Sequence, residues 1–85
     1  MPFDMTIALP RDARYAATAR LIADEAARDA GSTGRPAETF AARVEDVTRA
    51  ELTARGNSLH VVIAVHRNAS AITVTIGRQT LTLDL

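Results

Sequence analysis

The spacing of apolar residues resets at Pro10, Gly31 and Gly56, and each reset predicts the end of an element. Phe3, Met5, Ile7 and Leu9 alternate with Asp4, Thr6 and Ala8, the period of a strand with one buried face. From Arg11 to Ala30 the period becomes helical, with Asp12 near the start and Gly31 just past the end, where glycine accepts a left-handed cap. Tyr15, Ala19, Ile22 and Ala26 share one face, flanked by Ala16, Ala23, Ala27 and Ala30. A face so rich in alanine allows close approach to a neighbour. Arg20, Asp24 and Arg28 are spaced four apart on the opposite side and read as a solvated face. Leu21 lies off the alanine face.

Gly31-Ser32-Thr33-Gly34-Arg35 predicts a loop, and Pro36 suits the first turn of the helix that follows. That helix, predicted over Ala37 to Arg55, places Phe40, Val44 and Val47 on one side, with Arg43, Glu45, Asp46 and Arg49 toward the others. Glu51 continues the apolar line four residues beyond Val47. Either the helix frays before it, or its carboxylate is held at the margin of the core and needs a polar partner.

After Gly56-Asn57 the period is that of strands. Leu59, Val61, Ile63 and Val65 alternate with His60, Val62, Ala64 and His66; Ile72, Val74 and Ile76 alternate with Ala71, Thr73 and Thr75; Leu81, Leu83 and Leu85 alternate with Thr80, Thr82 and Asp84. The links Arg67-Asn68-Ala69-Ser70 and Gly77-Arg78-Gln79 are short enough for hairpins. The predicted fold is α+β: a two-layer β-α-α-β-β-β sandwich, both helices on one face of a mostly antiparallel sheet. Phe40, Val44, Val47, Ile63, Val74 and Ile22 are its expected core.

Length limits this to one domain over residues 1–85, because a chain of this size buries roughly 60 to 65% of the surface its unfolded form exposes. Ten lysines and arginines balance ten aspartates and glutamates, so no positive field favours nucleic acid. The absence of cysteine excludes a disulfide, a thiolate nucleophile and a cysteine zinc site, and suits a reducing cytoplasm. Met1-Pro2-Phe3-Asp4 does not begin a secretory signal, and no apolar run approaches the ~20 residues that span a bilayer. The expected setting is cytoplasmic, with no membrane partner.

Candidate chemistry is sparse. His60 and His66 share the polar face of one strand roughly 20 Å apart, too far to ligate one metal. No serine lies in a Gly-x-Ser-x-Gly turn, and the loop glycines lack the strand before and the Lys-Ser or Lys-Thr after that a phosphate loop requires. Glu45 and Asp46 are adjacent on a helix and point about 100° apart, so they do not form a facing acid pair.

The run ALPRDARYAATARLIADEAARDAG, followed after a short loop by AETFAARVEDVTRAEL, resembles the amino-terminal half of the anti-sigma regulatory factors, the serine-kinase branch of the histidine-kinase-like (GHKL) ATPases. The resemblance covers about residues 5 to 55 and implies a strand, a long helix closing in Ala-Gly, and a second helix carrying the acid of the nucleotide site. Val44-Glu45-Asp46-Val47 falls on that segment, which makes Asp46, or Glu45 with a one-residue slip, the family's catalytic acid. The magnesium-binding asparagine of the family falls on Ala50, or on Arg49 with the slip, and neither offers an amide oxygen. The family's Asp-x-Gly-x-Gly segment has no counterpart after Ile72 to Ile76, where only Gly77 stands.

The resemblance therefore implies a truncated, non-catalytic regulatory protein that binds a protein partner and carries no cofactor. Two alternatives remain: a minimal ATP- and magnesium-binding serine kinase, with Glu45 and Asp46 as weak cofactor-site candidates, and a structural homodimer module. The surfaces expected to serve association are the far face of the sheet, with Thr73, Thr75, Thr80 and Thr82, an uncovered strand edge, and Leu21.

Overall fold

A computed structural model of the chain describes residues 3–54 and 59–85, with the Phe3 side chain left aside. The expected helix end at Arg55 and the break at Gly56-Asn57 lie outside the described residues. Strand β1 (Phe3–Pro10) leads through a single 3-10 turn (Ala13–Tyr15) into α1 (Ala16–Asp29), then α2 (Arg35–Thr53), β2 (His60–Arg67), β3 (Ala71–Ile76) and β4 (Gln79–Asp84). The four strands form one antiparallel sheet in the order β1-β2-β3-β4. This is the α+β order expected from the sequence.

The capping chemistry explains the boundaries. Asp12 accepts a hydrogen bond from the Arg14 backbone N–H at 3.0 Å, which fixes the 3-10 turn before α1. Gly31, at φ 82, donates to Arg28 O at 3.0 Å while Ser32 N donates to Ala27 O at 2.9 Å, so the glycine closes α1 as a Schellman cap. Helix α2 begins at Arg35, two residues earlier than expected, with Pro36 in its first turn where a missing N–H costs nothing. Asn68 Oδ1 accepts from the backbone of Ser70 and Ala71 and turns the β2–β3 link. The β3–β4 link is shorter than expected: Gln79 already pairs with Ile76, leaving Gly77-Arg78 as the turn.

The core lies between the helices and one face of the sheet. Val61, Ile63 and Val65 of β2, Ile72, Val74 and Ile76 of β3, and Leu81 and Leu83 of β4 are buried against α2 and α1. Ala16, Ala19, Ala23, Ala26 and Ala27 of α1 are buried, and the small side chains let α1 lie close along α2, where Ala37 and Ala41 face them. Phe40, Val44, Ile63 and Val74 are core as expected; Ile22 and Val47 are partly buried at its border. The helices lie mainly over β2, β3 and β4. Toward β1 the cover thins, leaving Met5 38% exposed and Ile7 half-buried.

Candidate interaction surface

The two acids singled out by the sequence have different surroundings. Glu45 faces α1, with a side chain only 18% exposed, and both its oxygens are engaged: Arg20 Nη1 lies 2.9 Å from Oε1 and Arg49 Nη2 lies 3.0 Å from Oε2. The hydrogen bond from Arg20 lowers the Glu45 pKa below the ordinary glutamate value; burial opposes the shift and the Arg49 charge reinforces it. Arg20 is held more firmly protonated by the same bond. This corrects the expectation of a solvated row, because Arg20 is half-buried and joins two helices. No spacing rule reaches 25 positions, so the sequence carried no signal for it. Asp46 is exposed and meets only the edge of Arg49, at 3.5 Å. Arg49, one of the two residues at the expected asparagine position, is thus committed to the acids beside it; Ala50 is exposed and apolar.

Glu51 is half-buried, and α2 runs on past it to Thr53. Its carboxylate lies against Gly77 in the β3–β4 turn, so the second of the two expectations for it, a carboxylate at the core margin, describes its place. The buried line of α2 passes instead through Ala37, Phe40, Ala41, Val44, Thr48 and Leu52. Thr48 is wholly buried, and its hydroxyl donates to Val44 O at 2.6 Å, which lets a polar side chain occupy a core position. The end of α2 is tied down from outside: Arg11 Nη1 donates to the carbonyls of Glu51 at 2.8 Å and Ala54 at 2.9 Å. A cation there meets the negative end of the helix.

On the far side of the sheet, Thr73 stands opposite Thr82 and Thr75 opposite Thr80, with the last two hydroxyls 3.4 Å apart. His60 and His66 are both exposed on β2. His66 Nδ1 is hydrogen-bonded to Asp4, its partner across the β1–β2 pair, a contact that strand alternation alone did not announce. Among the described residues no group of three His, Cys, Asp or Glu side chains could hold a metal ion, and no helix is long and apolar enough to cross a membrane.

Two clefts run along the borders of the sheet. One, of about 350 Å³, lies beside β1 and is lined by Met5, Thr18, Leu21 and Ile22 with Glu25 and Asp29 at its rim. Leu21 is 64% exposed. The other, of about 300 Å³, lies beside β4 and is lined by Pro36, Phe40 and Leu83 with Arg35 and Arg43 at its rim. Among the described residues Arg35 and Arg43 have no ion-pair partner. The molecule therefore carries acidic side chains beside one free strand and basic side chains beside the other.

Comparison with known proteins returns no match among family models, curated proteins or solved structures.

Proposed function

We propose that this chain is a non-catalytic regulatory module that acts by binding protein, similar in sequence pattern to an anti-sigma factor without its nucleotide chemistry. The observation that supports this reading is the double engagement of Glu45 by Arg20 and Arg49. A catalytic base needs a free lone pair aimed at the proton it removes, and a carboxylate with both oxygens on arginines and a lowered pKa is a weak base. Asp46 keeps an exposed carboxylate, but one acid does not position a triphosphate, which also needs a second oxygen ligand for magnesium and glycines that bring backbone N–H groups to the phosphates. Ala50, Arg49 and the lone Gly77 do not supply them. A cysteine-free chain with balanced charge fits work in the cytoplasm among proteins rather than on nucleic acid.

Calorimetric titration with ATP and magnesium tests the reading. No heat of binding is expected at micromolar nucleotide. A dissociation constant near ~1 μM, about 8 kcal/mol of binding, overturns it in favour of a minimal ATP-binding serine kinase.

A further inference from the structure

We propose that the free edge of β1, together with the exposed side of α1 beside it, binds a second copy of this chain, whose own β1 adds antiparallel and joins two four-stranded sheets into one. The inference rests on the protein-binding reading above and names the partner.

The phase of the backbone comes first. Arg11 N donates to Leu59 O at 3.1 Å, and in an antiparallel ladder the residues that exchange bonds alternate with those that do not. In the same phase Leu9, Ile7 and Met5 bond inward to Val61, Ile63 and Val65, as their pairing requires. Asp4, Thr6 and Ala8 therefore point their N–H and C=O groups away from β2, and among the described residues no strand lies on that outer side. Pro10 falls in the outward phase, where its missing N–H removes no ladder bond. The outward groups are centred on Thr6. A two-fold axis through Thr6 pairs Thr6 with its own copy and Asp4 with the Ala8 of the other chain, so each of these outward groups finds a partner.

The side chains agree with that register. On the helix side Met5 comes opposite Ile7 of the second copy, apolar against apolar. On the far side Asp4 comes opposite Ala8, so no like charges face each other. Edge strands that avoid pairing carry lysines, prolines, bulges or inward charges; the one proline of β1, Pro10, lies at its end, beyond the Asp4 to Ala8 stretch that pairs, and its only charge is Asp4, already bonded to His66. The same axis sets the two α1 helices antiparallel across the join, with Leu21 and Ile22 facing the cleft of the partner. It brings Arg14, before the start of one helix, toward Asp29, at the end of the other. Asp29 has no ion-pair partner among the described residues, and Arg14, which pairs with Asp12 at 3.0 Å within its own chain, can share its charge with it across the join.

The edge of β4 does not serve as well. It is six residues long against eight, and a two-fold there brings the unpaired Arg35 and Arg43 of one copy toward those of the other. Isologous association thus favours β1.

Sedimentation of the purified chain from roughly 1 μM to 1 mM tests for self-association, and the expected result is a concentration-dependent rise from 9.1 kDa toward twice that mass. Thr6→Lys sets two ammonium groups opposite each other at the axis and is expected to weaken association by about two- to fivefold. The Thr6 side chain is exposed on the far face, and a circular-dichroism spectrum and melt confirm that the variant folds. Because the chain has no cysteine, Thr6→Cys and Thr82→Cys each introduce a single thiol, one on each edge strand. A short bismaleimide is expected to trap the Thr6→Cys variant as a covalent dimer and to leave the Thr82→Cys variant monomeric. A monomer over the whole range, association unchanged by Thr6→Lys, or trapping through position 82 instead of 6 overturns the proposal. Each of these outcomes leaves the ATP titration unaffected, so the two readings fail separately.

Discussion

Arg20 Nη1 lies 2.9 Å from Glu45 Oε1 and ties α1 to α2 at a point where the two helices otherwise meet through alanine. Alanine gives close approach but little to fix which turn of one helix lies against which turn of the other. The Arg20–Glu45 bond, reinforced by Arg49 on the same carboxylate, supplies that register. It also makes Glu45 part of the scaffold that joins the two helices.

The lowered pKa of Glu45 makes this tie dependent on pH. Its carboxylate holds protons less tightly folded than unfolded, so its stabilisation is fully present above the ordinary glutamate value and is lost as pH falls through the lower, folded value. Glu45→Gln should therefore melt earlier than the parent protein at pH 7, and the gap should close as pH falls below about 4. Asp46→Asn, at an exposed position, should show almost no gap at either pH. Thermal melts from pH 3 to 7 measure both; a gap for Glu45→Gln that is constant over that range would mean that its charge is not what binds the helices.

Ile63 occupies the middle of β2, paired on both sides and wholly buried. Ile63→Ala should destabilise by roughly 2 to 5 kcal/mol, since the lost side chain leaves a cavity between sheet and helices. A urea melt showing a change below about 0.5 kcal/mol would place Ile63 outside the core.

The strands and helices were legible because their signals are local. Alternation through Ile63, Val65, Ile72 and Val74 gives the buried face of the sheet, and Asp12 and Gly31 mark the start and end of the first helical segment. The 3-10 turn and the early start of α2 were not, since one turn of 3-10 helix is too short to show a period and a cap shifts a helix end by a residue or two. Less legible still was everything set by tertiary packing. Residue types alone put Glu51 rather than Thr48 on the apolar line, because a threonine reads as polar until its hydroxyl finds a carbonyl one turn back. Arg20 reads as a solvated charge, and no local pattern pairs it, Arg11 or Asp4 with Glu45, the end of α2 or His66, which lie 25, 40 and 62 positions away. Of the surfaces proposed for association, exposed Leu21 and the threonine face were visible in the pattern. The free edge of β1 required the strand order, which alternation does not encode.

Thr48 tests how the core tolerates its hydroxyl. That hydroxyl bonds only to Val44 O, a carbonyl within α2, so valine in its place removes one polar group without stranding a buried donor. Thr48→Val should shift stability by less than about 1 kcal/mol, in either direction. Thr48→Asp, which puts a charge in the same position with no cationic partner, should cost several-fold more. Chemical denaturation of the two variants checks the contrast; equal losses would show that shape, not polarity, decides at this site.

Gly77 couples the hairpin of β3 and β4 to the end of α2. Its φ of 58, followed by Arg78 with a negative φ, is the geometry of a type II′ turn, in which glycine leads. A side chain there meets two obstacles. The left-handed backbone costs about 1 to 2 kcal/mol for an L-residue. In addition, a Cβ would stand 2.8 Å from Glu51 Oε2 and 3.1 Å from Glu51 Cδ. The second obstacle is softer, because the Glu51 carboxylate ends a flexible side chain and can swing aside. Gly77→Ala should therefore cost about 1 to 2 kcal/mol from the backbone alone, with a smaller steric part added. In a Glu51→Ala background that steric part should vanish, so Gly77→Ala should cost a few tenths of a kcal/mol less than in the parent chain. A double-mutant cycle by urea denaturation gives the coupling directly. A zero coupling would separate the turn from α2, and a Gly77→Ala variant as stable as its parent would remove the left-handed turn as well.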